Sequence, residues 1–201
     1  MTPKKTFVAA DLEGSDRYKL LTGLIVPRPI GWIGTISAAG IANLAPYSFF
    51  NIVVGTPPTV LFAPGLRVRV KDSLANARET GEFTVNIVTE ETAEAMNLTS
   101  GEYAPDVDEF ALAGLTAVPG EAVAAPMVDE AKANLECRVT RIVEVGSPPA
   151  AAVVFGEVLR FHIRPEVLDG NRIDHGMLRA VGRMAGDGYT TTRDRFEMRR
   201  P

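Results

Sequence analysis

The sequence predicts a mainly β protein: a closed antiparallel β-barrel with a few short peripheral helices. Three observations carry this. Apolar alternating segments follow one another in hairpin-like succession, divided by turns such as Ala38-Ala39-Gly40 and Pro148-Pro149. Strands do not alternate with helices, as a doubly wound parallel sheet requires. Helical signals are confined to two or three short runs.

Residues 1–20 read as a lead-in with an amphipathic hint at Tyr18-Lys19-Leu20-Leu21. Ile30 to Ser37 is rich in Ile, Trp and Thr and reads as a strand. Gly40 allows the positive φ of a turn, and Ile41 to Ala45 returns antiparallel. Pro46 donates no ladder bond, so the strand should end or bulge there. A short buried strand, Thr59 to Phe62, follows Pro57-Pro58. Lys71 to Gly81 reads as a helix with Asp72 as N-cap and Gly81 as the stop. Phe83 to Val88 is the next strand, and Thr89 to Asn97 a second helix with Glu90 and Glu91 in its first turn. Asp106 and Glu109 suit a capping pair for one more turn. Ala133 to Val139 alternates, placing Ala133, Leu135, Cys137 and Val139 inward and Asn134, Glu136 and Arg138 outward. The phase slips near Arg141-Ile142-Val143, which suggests a bulge, and Ala152 to Ile163 is a long final strand.

The chain has 201 residues, 46% of them hydrophobic, which suits one domain over 1–201 with its core at about 22–190. The net charge of −4, with no basic stripe, argues against nucleic acid as a partner. Arg193 to Arg200 is locally basic and reads as a solvated tail or a subunit contact. One cysteine, Cys137, excludes an intrachain disulfide and reads as a core residue. Neither a signal peptide nor a membrane-length apolar run is present, so the expectation is a cytoplasmic protein that does not engage membranes.

The chemistry centres on Asn43-Leu44-Ala45-Pro46-Tyr47-Ser48-Phe49-Phe50-Asn51, an extended segment both aromatic and polar. A planar cofactor with polar edges is the kind of object such a segment lines. Lys71-Asp72-Ser73 opens a helix, and a helix start with an ammonium and a hydroxyl suits a monophosphate. A capped surface helix has the same pattern. Neither a G-x-G-x-x-G fingerprint nor a P-loop is present, so neither a dinucleotide fold nor a nucleotide-phosphate loop is expected. His162 and His175 lack metal-ligand spacing, and no metal site is expected.

Together these pieces resemble the flavin reductase-like family, whose fold is the FMN-binding split β-barrel, antiparallel and of Greek-key type. Three segments carry the resemblance, which runs from about Pro27 to Tyr189: Arg28-Pro29-Ile30-Gly31-Trp32-Ile33-Gly34-Thr35 leading to Asn43–Phe50; Lys71-Asp72-Ser73-Leu74-Ala75-Asn76 with Thr80-Gly81-Glu82-Phe83-Thr84-Val85-Asn86; and Gly182-Arg183-Met184-Ala185-Gly186 with Tyr189. In the last, Ala185 stands where the family has the first glycine of a pair. The resemblance implies FMN, with FAD as the less common choice, NADH or NADPH as electron donor, and a homodimer. It also implies an electron acceptor such as a monooxygenase. Tyr47, Ser48, Phe49, Phe50 and Asn51 would meet the isoalloxazine end, and Lys71, Asp72, Ser73 and Asn76 the phosphate, with Arg183 at the phosphate or the dimer partner and Thr35 also among the cofactor-binding residues. The flavin carries the redox chemistry, so no catalytic side chain is required. His162 or His175 would be the side chain to touch a nicotinamide. The implied function is an FMN-dependent flavin reductase, or alternatively a flavoredoxin-like carrier without nicotinamide turnover.

Overall fold

The fold is a computed structural model that describes residues 2–66 and 70–201. Seven antiparallel strands form its main sheet: β2 (Gly31–Ile36), β3 (Ala42–Tyr47), β4 (Phe50–Gly55), β5 (Pro58–Phe62), β6 (Glu82–Ile87), β9 (Ala133–Gly146) and β10 (Pro149–Ile163). Their order is β3-β2-β6-β9-β10-β5-β4. Two edges remain, β3 and β4; they are consecutive in the chain but do not pair with each other, and there the barrel is split. A small sheet joins β1 (Arg28–Pro29), β13 (Val181–Arg183) and β14 (Tyr189–Thr191) in the order β1-β13-β14. The pairs β7 (Ala117–Val118) with β8 (Met127–Val128), and β11 (Leu168–Asp169) with β12 (Arg172–Ile173), are peripheral. Helices are short: α1 (Gly14–Leu24), α2 (Asp72–Thr80), α3 (Ala93–Leu98), α4 (Glu109–Leu112) and α5 (His175–Leu178). None is long and apolar enough to cross a membrane.

Strand β2 explains the two-layer core. Successive side chains point to opposite faces. Ile33 joins an inner cluster with Phe62, Leu74, Phe83, Val85 and Val154, while Trp32 joins an outer one with Leu44, Met96, Phe110 and Val128. Both faces of β2 are therefore covered. At Gly34 a Cβ would stand 2.5 Å from the Pro126 carbonyl oxygen, so only glycine lets the covering loop approach. Phe62 meets Tyr47 and Phe83 at ring separations of 5.2 and 5.1 Å, tying both β3 and β6 to the inner cluster.

Several sequence-based expectations are corrected. The lead-in contains a full helix, α1, on which only Thr22 is buried. Strand β3 runs through Pro46 to Tyr47, because an edge strand tolerates a missing N–H. A strand over Phe50–Gly55 went unread, its apolar side chains being exposed instead of alternating. Lys71, not Asp72, is the N-cap residue of α2, and its side chain makes no capping bond among the described residues; Gly81 ends the helix at φ 72° as expected. The helix after Thr89 begins as a 3-10 turn, Glu90–Thr92, where the Thr92 hydroxyl accepts from the Thr89 N–H at 3.0 Å. Asp108, not Asp106, caps α4 by accepting from Phe110 N at 2.9 Å, which leaves Glu109 to turn inward.

Asn134 and Glu136, expected outward, are buried, while Cys137 is buried as expected. A strand covered on both faces loses its polar-out alternation only where the polar groups find partners. Asn134 donates to Asn86 Oδ1 (2.7 Å) and the Val128 carbonyl (3.0 Å). Glu136 accepts from Ala122 and Val123 N–H at 2.6 and 2.9 Å and meets His162 Nε2 at 2.7 Å. The register between β9 and β10 slips at Thr140, one residue before the expected bulge.

Candidate functional site

Strand β3 ends at the split, and its alternation places Asn43, Ala45 and Tyr47 on one face. That face lines a cavity of about 360 Å3, a size typical of small-molecule sites (~300–1,000 Å3). Opposite stand Lys71, Asp72 and Ser73 at the N-terminus of α2. Thr99, Gly101, Glu102 and Tyr103 form the third wall, and Glu109 reaches in from α4.

Each wall is fixed by a specific bond. Trp32 Nε1 donates to Thr99 Oγ1 at 2.9 Å, and Tyr103 OH donates to the Leu98 carbonyl at 2.8 Å. The hydroxyls of Tyr47 and Ser73 hydrogen-bond directly across the floor, joining β3 to α2. Burial pushes the Tyr47 phenol up to about 12; the Ser73 bond opposes this, while nearby Asp72 and Glu109 add to it. Tyr47 therefore stays a neutral phenol with a proton to donate. Lys71 Nζ stands 3.5 Å from Glu102 Oε1 at the rim. Leu74 and Ala75 N–H groups both return to the Lys71 carbonyl and close the first turn of α2, whose N-terminal end faces the cavity.

Behind the cavity runs a buried polar relay. Asn76 Nδ2 donates to Thr35 Oγ1 (3.1 Å), which donates to Asn43 Oδ1 (3.3 Å). Asn43 Nδ2 lies 2.9 Å from both Glu109 oxygens, and Leu44 N–H donates to Glu109 Oε2 at 3.0 Å. Burial raises the Glu109 carboxyl above its usual range; the Leu44 and Asn43 bonds oppose the shift and Asp72 reinforces it.

Four sequence-predicted residues, Tyr47, Lys71, Asp72 and Ser73, share this cavity. The remaining seven do not line it. Thr35 and Asn76 belong to the relay behind it. The chain turns at 48–49, and β4 leaves to pair with β5, so the aromatic segment diverges at that corner. Ser48 Oγ accepts from Arg28 Nε at 3.3 Å, Phe49 is exposed, and Asn51 accepts from the Ile52 N–H at 2.8 Å. Phe50 lies against Gly31 and lines a different cavity. Arg183 bonds the Gly186 and Gly188 carbonyls and stacks on Tyr189, 4.4 Å from the ring centroid. His162 is bound to Glu136, away from the cavity wall, and His175 lines the cavity that Phe50 lines.

Asn43, Thr99, Glu102, Tyr103 and Glu109 were not nominated from the sequence. The alternation Asn43-x-Ala45-x-Tyr47 carried a signal for the first. The third wall comes from a loop whose approach only the fold reveals.

The donor set fits a flavin mononucleotide. One ammonium, one hydroxyl and a helix start lie at one end, and Ala45 with the Tyr47 ring supplies a flat wall beside them.

The flavin reductase like domain family matches residues 23–180. A relative from Aquifex aeolicus is 41% identical over 186 residues, covering 91% of this chain and 93% of its own. Nitrilotriacetate monooxygenase component B from Bacillus cereus superposes with a TM-score of 0.96 at 34% identity, over 98% of this chain and 100% of its own. The Pseudomonas fluorescens 2-nitrobenzoate 2-nitroreductase NbaA superposes with a TM-score of 0.89 at 29% identity, over 98% and 96%.

Proposed function

The chain belongs to the flavin reductase-like family, and on that premise we propose that it is an FMN-dependent oxidoreductase drawing electrons from NADH or NADPH. The observation that carries the reading is the convergence of Lys71, Ser73 and Tyr47 on one cavity at a helix N-terminus. Lys71 holds the phosphate through a charge-assisted bond, with Ser73 beside it. Asp72 contributes its backbone N–H, since its carboxylate repels an anion. Tyr47, kept neutral by burial, donates to a flavin oxygen or holds Ser73 in place. The relay from Asn76 to Glu109 fixes the spacing of α2 and β3, so that both ends of the cofactor meet a rigid wall. Ser48, Phe49, Phe50, Asn51 and Arg183 act in this reading through the corner and the subunit contact. When bound, the flavin would supply the redox chemistry between a reduced nicotinamide and an electron acceptor. No side chain is assigned to the chemical step.

Similarity to a monooxygenase component B supports an oxygenase-type partner as acceptor. Exposed apolar side chains support a homodimer: Ile52, Val53 and Val54 on edge strand β4, and Leu21, Leu24 and Ile25 at the end of α1. Steady-state oxidation of NADH and NADPH with added FMN tests the reductase. Turnover supports it; tight FMN binding without turnover replaces it with an electron carrier.

A further inference from the structure

Beyond the corner at 47–50 opens a second cavity, about 570 Å3 in volume, which shares no lining residue with the first. Pro27, Pro29, Ile30, Phe50, Val88 and Val181 give it apolar surface; Arg28 also lines it, with its guanidinium committed to the Thr22, Ile25 and Met184 carbonyls. At its rim stand His175, Asp194 and Arg195. A smaller adjoining cavity of about 230 Å3 shares His175 and Arg195 and adds Arg179 and Arg193. Glu90 pairs with both Arg179 (3.2 Å) and Arg193. Among the described residues Arg195 has no carboxylate within 4.0 Å, so its guanidinium remains available at the mouth.

We propose that this second cavity is a binding site for an aromatic carboxylate, a ligand class separate from the flavin and its phosphate. The ring lies on the floor formed by Pro29, Phe50 and Val181, where water is displaced from apolar surface. The carboxylate meets the planar fork of Arg195, whose geometry matches two oxygens, with His175 beside it. Asp194, next in the chain and on the same rim, penalises a second negative charge. The site therefore takes a monoanion in preference to an aryl phosphate.

Calorimetric titration of the full-length, FMN-loaded protein with benzoate tests this. Saturable single-site binding in the millimolar range or tighter is expected. Benzyl alcohol, which lacks the charge, acetate, which lacks the ring, and phenyl phosphate should each bind at least about tenfold more weakly. Arg195→Ala should weaken benzoate by about tenfold and leave benzyl alcohol unchanged, while Arg195→Lys recovers part of the loss. Arg195 is exposed, so neither variant threatens the fold. FMN affinity of Arg195→Ala should equal that of the wild type, which separates this inference from the flavin reading. Absence of benzoate binding, including through a second copy covering the cavity, overturns the proposal. So does equal binding by Arg195→Ala, or displacement of benzoate by excess FMN.

Discussion

Replacing Lys71 by alanine should weaken FMN and spare riboflavin. A charge-assisted bond to phosphate contributes roughly 1.5–3 kcal/mol. The structure sets an offset. Lys71 already lies 3.5 Å from Glu102, and its side chain is 32% exposed. Giving up such an exposed pair costs about 0–1 kcal/mol. The net loss on Lys71→Ala is then about 0.5–3 kcal/mol, with a middle value near 2 kcal/mol that corresponds to roughly a thirtyfold rise in Kd. Glu102→Gln should move the other way, tightening FMN by up to about fivefold, because the lysine no longer has to leave a carboxylate. Ser73→Ala is a less clean probe, since it leaves the part-buried Tyr47 hydroxyl without its partner and so lowers stability as well. Fluorescence-quenching titrations of FMN and riboflavin against wild type, Lys71→Ala and Glu102→Gln make the measurement. Equal weakening of both flavins in Lys71→Ala would refute a phosphate role for this residue.

Three further outcomes concern the scaffold. Burial alone would raise the Glu136 carboxyl, but His162 and the N–H groups of the 121–123 loop outweigh it and hold it at about 2, below its ordinary 4.5. A depressed acid stabilises the fold above 4.5 and loses that contribution as pH falls toward 2, by up to about 3 kcal/mol; thermal unfolding against pH should show this loss, and Glu136→Gln should flatten it. The buried Arg28 guanidinium donates to the Thr22, Ile25 and Met184 carbonyls at 2.7–2.9 Å and to Ser48 Oγ. Arg28→Ala should cost about 3 kcal/mol or more in urea unfolding, with Arg28→Lys recovering only part. Gly34→Ala forces a Cβ against the Pro126 carbonyl and should destabilise by roughly 1–3 kcal/mol in the same assay; a neutral result would show that the covering loop yields freely.

The strands around β2, β6, β9 and β10 were legible because apolar periodicity survives burial on one or both faces. Gly81 was legible as a helix stop because its positive φ is a local demand. What escaped the sequence depends on contacts far apart in the chain. Glu136 reads as an outward residue until the 121–123 loop and His162 supply its bonds. Glu109 reads as a capping partner, yet its carboxyl crosses to Asn43 on a strand 66 residues earlier. Of the segment Tyr47 to Asn51, only Tyr47 shares a cavity with Lys71 and Ser73; Ser48, Phe49, Phe50 and Asn51 do not line it. Nothing local in Ser48-Phe49 announces that the chain changes direction there to pair with β5.

The most direct test of the central claim is a titration of the flavin-free protein with FMN, followed by emission and visible absorbance. A saturable single-site quench, together with a yellow protein that keeps its flavin band through gel filtration, is the predicted result. A colourless protein that leaves FMN emission unchanged would contradict it.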